Sequence, residues 1–582
     1  MRNLLIPSLL LLSLSTYGLC INSRFLSPLS GYEDLIIRGG IFDQTFKPFK
    51  QIDTQYSFRN PLLALKVLES LNPINTTEPD YPTDGSGLKM KRDPTYCTRA
   101  QEEFVKNPTP LFKTVSFITD YNPHSYLRET IIPMIGYDAM PFLNNPELAR
   151  IFRKEPPHEL DLQASTIFTK MNVDHIYQIG THMGCIHQNY NHINGASHLA
   201  DKDAVAHTLK EYANKLSHQP TCSLDNKFFP QTWLLAHEKE CVEWFDMINS
   251  PEYETEKAEK TIVFIRKIGA KVHRGKGVVP VDNEEEAALR EMYANGEKCG
   301  VIPNNYIIQR YIHNPLLVQG HKFDFRVYMM ISSTNPLVVY YHDGFLRVSL
   351  FEYDVNSKEK GVHLTNTAQS EKVFEDEDIQ KRMGMTETEL RNFQMWNYQR
   401  LAEYLVSEGK IESVEWIDDY LRPKIEHAMQ HLVRAVKNHL TNATNVWELY
   451  GVDFMLDDEL NLWFIECNIG PVIKASNEEK GKFLQQLLTD AFEIVTAQLR
   501  SRMKRVIRFV NELTAKEVKM NTFSEITIPN FSEKKKAFDD LLRNRVEDEF
   551  KIKPDNSWIK IVDETLEGTA RYNGMFPTEC VY

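Results

Sequence analysis

The segment 451–471, GVDFMLDDELNLWFIECNIGP, limits the possible folds of this chain more than any other stretch. Two short apolar runs flank the acidic turn LDDEL, a pattern that predicts a buried β-hairpin. Side chains two positions apart on a strand share a face, so Glu466 and Asn468 are expected to point the same way. Asp453 on the partner strand then lies close to them, directly across the hairpin or diagonally. The chain is therefore expected to contain an antiparallel sheet with oxygen-bearing side chains on one face.

These three side chains have two explanations. A buried carboxylate is costly unless it is paired or bound to a metal. Hard oxygen ligands on rigid strands suit Mg²⁺, which is usually shared with substrate phosphates. The alternative is a polar end of the sheet that water covers. Asp453, Glu466 and Asn468 by themselves leave both explanations open.

A second charged strand is expected in HKFDFRVYMMI, residues 321–331. Lys322, Asp324 and Arg326 alternate with apolar residues, so that one face carries three charges. Such a face is either solvated or part of a site. The apolar continuation VYMMI indicates a central strand and favours the second explanation.

The strand after it supplies a further cation. Asp343-Gly344 predicts the tight turn of a hairpin. That hairpin places Arg347 on the strand beside Arg326. Two arginines with Lys322 would form a clamp suited to phosphate oxygens.

A basic, glycine-punctuated stretch, FIRKIGAKVHRGKGVV, occupies residues 264–279. Glycines let a backbone approach phosphates, and lysines such as Lys267 neutralise them. The stretch does not match the GxxxxGK[ST] phosphate loop, and a flexible turn is the alternative. The following strand, NNYIIQRYI, could offer backbone groups to an adenine ring.

These segments occur in an order that resembles the tubulin–tyrosine ligase-like family, whose members have the ATP-grasp fold. The similar blocks are NHINGASHLADKDAVAHTL, FFPQTWLL, FIRK…GKGV, YIIQRYIHNPLLVQGHKFDFRVYMMI, HLTN and GVDFML…FIECN, which together span about residues 187–500. The expected fold class is α/β (α+β), with antiparallel sheets flanked by helices. The chain departs from the family at Ile268, where proline is usual, and in a loop one residue longer before GKG.

The resemblance implies ATP and Mg²⁺ as cofactors and assigns a role to each matching position. It places phosphate contacts at Lys202, Lys267, Gly275 and Gly277, and an adenine hinge at Gln309, Arg310, Tyr311 and Ile312. It places catalytic residues at Lys322, Asp324, Arg326, Arg347, His363, Thr365 and Asn366, and of these Lys322 and Asp324 would also contact ATP. It places metal ligands at Asp453, Glu466 and Asn468.

The implied activity is amide-bond formation through an acylphosphate. Glutamate, glycine or tyrosine would be joined to a glutamate-rich protein tail, with tubulin in microtubules as the leading acceptor. Two alternatives stay open: a catalytically impaired relative that acts as a binding protein, and a ligase with a different acceptor in the secretory pathway. A basic helical stretch at 500–509, RSRMKRVIRF, is either a docking element for the acidic tail or a solvated helix face.

Length and charge set the remaining limits. A chain of 582 residues predicts several domains, and the net charge of −13 disfavours a general nucleic-acid binder. The expected divisions are a signal-peptide-like segment at 1–20, an N-terminal extension at 21–150, the first part of the ligase region at 151–255, an ATP-grasp catalytic core at 256–500 and a helical C-terminal tail at 501–582.

The N-terminal sequence MRNLLIPSLLLLSLSTYGLC has the pattern of a secretory signal peptide and is too short and proline-interrupted for a membrane-spanning helix. Eight scattered cysteines without a CxxC pair argue against structural zinc and would allow disulfides in a secreted chain. Asn75, Asn442 and Asn530 each begin an N-x-S/T sequon. The signal-like segment favours the secretory pathway, whereas the family resemblance favours the cytoplasm, cytoskeleton or cilium. No membrane span is expected.

Overall fold

Helices combine with four β-sheets in the part of the chain that the structure describes. The structure is a computed structural model. It describes residues 56–73, 101–102, 104–108, 111–112, 116–119, 138–139, 166–169, 186–224, 228–260, 262–269, 277–357, 360–365, 374, 377, 380–381, 384–473, 475, 477–521, 525–543 and 545–580. The strands are β1 (Ser116–Thr119), β2 (Asp138–Ala139), β3 (Thr166–Thr169), β4 (Asn189–Tyr190), β5 (Thr232–Leu234), β6 (Phe264–Ile268), β7 (Val279–Val281), β8 (Tyr306–Arg310), β9 (Leu317–Val318), β10 (His321–Thr334), β11 (Leu337–Glu352), β12 (Met395–Trp396), β13 (Glu448–Leu456), β14 (Leu462–Ile469), β15 (Lys519–Met520), β16 (Ile526–Thr527) and β17 (Ile559–Asp563).

Several helices begin at a side chain that accepts a hydrogen bond from the first turn, as Asp282, Asn397 and Asn477 do. The α-helices are α1 (Pro61–Leu71), α2 (Ser197–Ala200), α3 (Lys202–Leu216), α4 (Glu238–Ile248), α5 (Pro251–Glu259), α6 (Asn283–Met292), α7 (Lys360–His363), α8 (Glu387–Gln394), α9 (Tyr398–Ser407), α10 (Arg422–Val436), α11 (Glu478–Lys516) and α12 (Phe531–Leu542). A π-helical turn, Ile417–Leu421, precedes α10, and short 3-10 turns occupy Pro220–Cys222, Ala294–Gly296, Lys437–His439, Asp548–Phe550, Gly568–Tyr572 and Thr578–Cys580.

The largest sheet is antiparallel and is built around β10. Its strand order is β12-β11-β10-β13-β14, with β9 paired to β10 and β17 paired to β11. On one face of β10, Phe323, Phe325 and Val327 belong to the main hydrophobic core, together with residues of α9 and α10. The other face carries the charged residues at one end, whereas α11 covers its far end, where Gln498 donates to Ser332 at 3.0 Å. The sequence prediction that VYMMI continues a central strand is confirmed.

A smaller antiparallel sheet, β5-β8-β6-β7, stands opposite the charged face. Its core contains Trp244 of α4 and Phe264 of β6, both almost fully buried. These two antiparallel sheets with flanking helices confirm the predicted fold class. A third sheet, β2-β1-β3-β4, is parallel and comes from the N-terminal part of the chain.

The turn predicted at Asp343-Gly344 is wrong. The strands β10 and β11 join through Asn335-Pro336, and Asp343-Gly344 lies inside β11, where the ladder with β10 shifts register. A Cβ atom on Gly344 would lie 1.5 Å from the carbonyl oxygen of Arg326. The glycine is thus required by a close approach of two backbones in the bulged ladder.

The proposed docking stretch at 500–509 is not an exposed basic surface. It lies within α11, where Arg500 and Arg502 are almost fully buried and Arg505 is buried as well. Arg502 donates to the carbonyl of Thr444 at 2.6 Å, and burial lowers its pKa to about 9. These three arginines tie distant segments together, so most of the stretch serves the fold; Arg508 is exposed at its end and lies 3.1 Å from Glu547.

The C-terminal segment is part of the main sheet. Its strand β17 pairs with β11, and Gln430 of α10 donates to the carbonyls of Ile561 and Tyr572. Two expected domain boundaries fall inside helices, because α5 spans residue 256 and α11 spans residue 500. The division into domains stays a prediction.

Two disulfide bonds join described cysteines: Cys222–Cys580 and Cys241–Cys299. Cys467 has a free, buried thiol. No described helix combines the length and apolarity needed to cross a membrane. The signal-like segment 1–20, the sequon at Asn75 and most of the region 21–150 lie outside the described residues.

Candidate functional site

The cleft between the two antiparallel sheets collects most of the predicted site residues. It encloses about 890 Å³ of space, its open mouth included. The predicted residues that line it are Lys202, Lys267, Gln309, Arg310, Tyr311, Ile312, Lys322, Asp324, Arg347, Thr365, Asp453 and Glu466. Arg326, His363, Asn468 and Gly277 do not line it, and Gly275 and Asn366 lie outside the described residues.

Arg347 links two carboxylates on the floor of the cleft. It stands directly opposite Asp324 in the β10–β11 ladder and donates two hydrogen bonds to it, at 2.7 and 2.6 Å. The same guanidinium donates to Asp453 at 2.7 Å. Burial disfavours the charge of Arg347, but Asp324 and Asp453 outweigh it and raise its pKa well above the usual range. Arg347 is therefore a permanent cation on the cleft floor.

Arg326 supports this floor from below. It donates to both oxygens of Asp453, at 2.5 and 3.0 Å. A Cβ atom on Gly451 would lie 3.1 Å from the Cδ of Arg326 and 3.1 Å from the Cβ of Pro471, so a side chain there would push the arginine aside. The phosphate clamp predicted from Arg326 and Arg347 is thus partly engaged with carboxylates, and Arg326 acts on the site through Asp453.

Glu466 is a carboxylate of the cleft that stays ionised. It stands opposite Asp453 in the β13–β14 ladder, accepts a hydrogen bond from Asn468 at 3.2 Å and lies 3.5 Å from the ammonium of Lys202. Burial opposes its ionisation, but Lys202, the Asn468 hydrogen bond and Lys267 outweigh burial and lower its pKa to about 2. The prediction that Asp453 lies close to Glu466 and Asn468 across the hairpin is confirmed.

The donors at this point fit a magnesium ion. Glu466 is fully ionised at neutral pH, and its side chain retains 30% exposure towards the cleft. Asp453 stands opposite it as a second carboxylate, with both oxygens already accepting hydrogen bonds from Arg326 and Arg347, and Asn468, whose amide nitrogen donates to Glu466, also carries an amide oxygen. No described group of three or more His, Cys, Asp or Glu side chains is arranged to hold a metal, so a cation here would use two carboxylates and need oxygens from a substrate.

Lys267 reaches the cleft from β6. Its ammonium donates to Gln309 Oε1 at 2.7 Å, and Gln309 in turn donates to Thr232 Oγ1 at 2.9 Å. Burial lowers the pKa of Lys267 to about 8; Glu466 acts in the opposite direction, and Lys202 adds to the lowering. Residues on three strands of the small sheet thus hold the Lys267 side chain in place, and its lowered pKa means that it loses its proton more readily than an exposed lysine does.

Lys322 forms a second such site on β10. Its ammonium donates to the hydroxyl of Tyr311 at 3.3 Å and lies 4.8 Å from the centre of that ring. Burial lowers the pKa of Lys322 to about 8, with Asp324 opposing and Lys267 adding to the effect. His363 lies within 2.8 Å of the Tyr311 hydroxyl and within 2.7 Å of the carbonyl oxygen of Ser357. His363 consequently positions Tyr311 and does not contact the cleft itself.

Thr365 follows α7 and donates a hydrogen bond to Asp324. Asp324 therefore receives donors from both Arg347 and Thr365. At the edge of the basic stretch, Gly277 has φ +73°, and a Cβ there would lie 2.6 Å from the side chain of Ile268. Ile268, which departs from the family pattern, is thus accommodated by the glycine opposite it.

The hinge after β8 has two backbone amides that are already used. The N–H of Arg310 donates to the carbonyl of Gln231 at 2.8 Å, and that of Tyr311 donates to Val263 at 3.0 Å. Arg310 also donates to Glu256 at 2.6 Å. The backbone amides of Arg310 and Tyr311 are therefore engaged within the protein.

The sequence interpretation missed the apolar walls of the cleft. Strand alternation could have placed two of these residues in the cleft, because Ile265 lies two positions before Lys267 and Met455 lies two positions after Asp453. Ile465 has no such signal, because it is the extra residue where the β13–β14 ladder shifts register. The full set of unpredicted lining residues is Pro230, Ile265, Val278, Leu364, Met455 and Ile465.

Comparison with known proteins gives a family match. The model of the tubulin-tyrosine ligase family matches residues 178–505. The chain is 26% identical over 327 residues to the human protein named inactive polyglycylase TTLL10, covering 53% of this chain and 45% of that protein. It is 29% identical over 294 residues to protein polyglycylase TTLL10 of Macaca fascicularis, covering 48% and 44%. It is 33% identical over 217 residues to probable tubulin polyglutamylase TTLL9 of Bos taurus, covering 37% and 44%. The chain thus spans less than half of the length of these relatives.

Proposed function

Since the chain belongs to the tubulin-tyrosine ligase family, we propose that it is an ATP- and Mg²⁺-dependent ligase that joins an amino acid to a glutamate-rich protein tail. One observation carries the proposal. Lys202, Lys267 and the ionised Glu466 lie close together in a cleft that is also lined by apolar side chains, among them Ile265, Val278 and Met455. That combination suits a nucleotide, with its phosphates beside the charged groups and its base between apolar side chains.

The base would lie between the two sheets. Ile265 lies in the small sheet, Val278 lies just before its strand β7, and Met455 comes from the large sheet. The Ile312 amide would fix the orientation of the base. The phosphates would then extend towards Lys267, Lys322 and the floor of the cleft.

The metal would be held by Glu466, Asp453 and Asn468. Bound there, it would supply positive charge that offsets the charge on the transferring phosphoryl group. Lys202, at 3.5 Å from Glu466, keeps that carboxylate ionised whether or not a metal is present.

The side chains of this chain would mainly position reactants. The acceptor carboxylate attacks the terminal phosphorus of ATP, the bond to ADP breaks, and an acylphosphate forms. The amine of the incoming amino acid then attacks the acyl carbon, releases phosphate and loses a proton, which leaves an amide. Arg347 and Lys322 would stabilise the negative charge that develops at phosphorus, and the apolar walls would exclude water from the acylphosphate.

Two acceptors are candidates, and a separate observation supports each of them. The names of the relatives refer to polyglycylation and tubulin polyglutamylation, which supports a tubulin tail as acceptor. The two disulfide bonds favour a second candidate, an acidic segment of a secretory-pathway protein. Both candidates use the same reaction and the same site.

A ligation assay tests the proposal. The purified full-length chain would be incubated with Mg-ATP, a tubulin-tail peptide, and glutamate, glycine or tyrosine in turn, and the peptide mass would be followed. A mass gain with one amino acid, absent without ATP, is the expected result and identifies the donor.

Nucleotide binding is measured in parallel by calorimetry. Binding without ligation on the tubulin peptide or on an unrelated glutamate-rich peptide would leave the alternative of a catalytically impaired binding protein. Failure to bind Mg-ATP at all would overturn the proposal.

A further inference from the structure

The described cysteines point to an oxidising compartment. Cys222 and Cys580 are 358 positions apart in sequence, yet their Cα atoms are 5.4 Å apart and their sulfurs are bonded. Cys241 and Cys299 are likewise bonded, with Cα atoms 5.6 Å apart. All four are buried. Disulfides of this kind persist in the secretory pathway and are rare in the reducing cytosol.

A sequon lies at the tip of an anchored loop. Thr334 holds both sides of this loop, because its hydroxyl lies 2.7 Å from the carbonyl oxygen of Thr441 and accepts the N–H of Ala443 at 3.0 Å. Between these anchors Asn442 is exposed. The sequence Asn442-Ala443-Thr444 is an acceptor for N-linked glycans. The folded loop therefore presents the asparagine side chain to solvent at a fixed position.

A second sequon lies at the start of α12. Asn530 precedes the helix, and its carbonyl accepts the N–H of Lys534 at 3.0 Å. The side chains of Asn530, Phe531 and Ser532 are all exposed. Neither Asn442 nor Asn530 lines the cleft, so a glycan at either position would leave the proposed ligase site open.

We propose that this chain matures in the secretory pathway, with both disulfides formed and N-linked glycans on Asn442 and Asn530. Each disulfide forms by thiol–disulfide exchange: the two cysteines lose two electrons and two protons, and a disulfide of a thiol oxidoreductase becomes a dithiol. Each glycan comes from a lipid-pyrophosphate-linked oligosaccharide. The asparagine amide nitrogen bonds to the first sugar carbon, the bond from that carbon to the pyrophosphate breaks, the amide loses a proton, and the lipid pyrophosphate leaves.

Peptide mapping of the full-length chain tests both parts. The chain would be expressed with its own N-terminal segment in cultured eukaryotic cells, purified without reductant and digested. The expected products are peptide pairs linked through Cys222–Cys580 and Cys241–Cys299. Treatment with a peptide N-glycosidase in ¹⁸O-water is expected to convert Asn442 and Asn530 to labelled aspartate.

Matched variants assign each glycan. Thr444→Ala and Ser532→Ala should each remove one glycan, whereas Thr444→Ser and Ser532→Thr preserve the sequons and should retain it. Deletion of residues 1–20 should leave the cysteines reduced and both asparagines unmodified. The proposal is overturned if the full-length chain carries free thiols at the four cysteines, and its glycan part is overturned if Asn442 and Asn530 stay unmodified beside intact disulfides. Neither outcome depends on ligase activity.

Discussion

At the scale of single residues, Glu466 can be changed to test the chemistry of the cleft without disturbing the fold. The charge on Glu466 is stabilised by Lys202 and Lys267 and faces the cleft, whereas the β13–β14 ladder that carries it is held by backbone bonds. We expect Glu466→Gln to lower the rate of ligation by roughly 100-fold or more, since the proposed metal would lose a charged ligand, and to leave the circular dichroism spectrum unchanged.

The control for this substitution lies on the same hairpin. Glu459 is exposed in the turn between β13 and β14, so Glu459→Gln makes the same chemical change away from the cleft. It should ligate like the unmodified chain. Equal activity in both variants, measured by the peptide mass gain, would remove Glu466 from the proposed metal site.

Lys267 and Lys322 should make nucleotide binding depend on pH. Burial lowers the pKa of each to about 8 in the ligand-free protein, so each is partly deprotonated at pH 8 and protonated at pH 6.5. Bound phosphates favour the ammonium form and restore its proton. Mg-ATP binding should therefore take up protons at pH 8, take up almost none at pH 6.5, and weaken as the pH rises above 8.

Calorimetry in buffers of different ionisation enthalpy measures this proton uptake directly. Lys267→Met should reduce the uptake at pH 8 by more than the share of Lys267, because its loss also raises the pKa of Lys322 and leaves that lysine more fully protonated before binding. Lys298→Met, which changes a lysine outside the cleft, should leave it unchanged. An uptake of zero at pH 8 would contradict buried, phosphate-facing lysines.

Residue types and alternation predicted much of the site at this scale. The spacing of Lys322, Asp324 and Arg326 placed three charges on one face, and the pairing of β10 with β11 and β13 confirms it. The pattern did not indicate that the arginines bond to Asp324 and Asp453, because that depends on the register between strands distant in sequence. The position of Ile465 in the cleft could not be predicted either, because a bulge between β13 and β14 breaks the alternation of side chains there.

At the scale of elements, the bulge in β11 brings two backbones unusually close. Gly344→Ala places a Cβ 1.5 Å from the Arg326 carbonyl, so one of the two strands must move. We expect the free energy of unfolding to fall by roughly 1–3 kcal/mol. Ligation should fall further than stability alone explains, because Arg326 and Arg347 are displaced.

Gly409→Ala is the matched control for this change. Nothing lies within 4 Å of its added Cβ, although its φ of +66° is one that alanine tolerates poorly. Its cost should be about 1 kcal/mol, without an effect on ligation at a temperature where the protein stays folded. Equal losses of stability and activity in both variants, read from denaturant unfolding and peptide mass, would show that the bulge has no special role.

Local signals also misled at this scale. Asp343-Gly344 has the composition of a hairpin turn, but extended pairing of β11 with β10 and β17 keeps it inside a strand. The basic run in α11 looked like a surface because its partners are remote. Arg502 bonds to Thr444, 58 positions away, and no local pattern reveals that contact.

At the scale of the whole molecule, the described C-terminal segment is fixed to the large sheet by strand pairing, hydrogen bonds and a disulfide. The final segment adds β17 to the large sheet and is held by Gln430 and Arg434 of α10. The disulfide Cys222–Cys580 fixes it to the turn after α3. The second disulfide, Cys241–Cys299, lies entirely within the small sheet and its helices. The two bonds therefore stabilise different bodies around the same cleft.

Removing them should have different consequences. Cys222→Ser with Cys580→Ser should lower the free energy of global unfolding by roughly 2–5 kcal/mol, because a long loop is released and β17 loses its anchor. Cys241→Ser with Cys299→Ser should act mainly on the small sheet, which carries Lys267 and the hinge, and should raise the KM for ATP more than it lowers the global stability. Denaturant unfolding and ATP titration of both double variants measure the difference. If the two pairs lowered stability and ATP affinity in the same proportion, the two sheets would unfold as one unit, and the two disulfides would not act on separate parts of the fold.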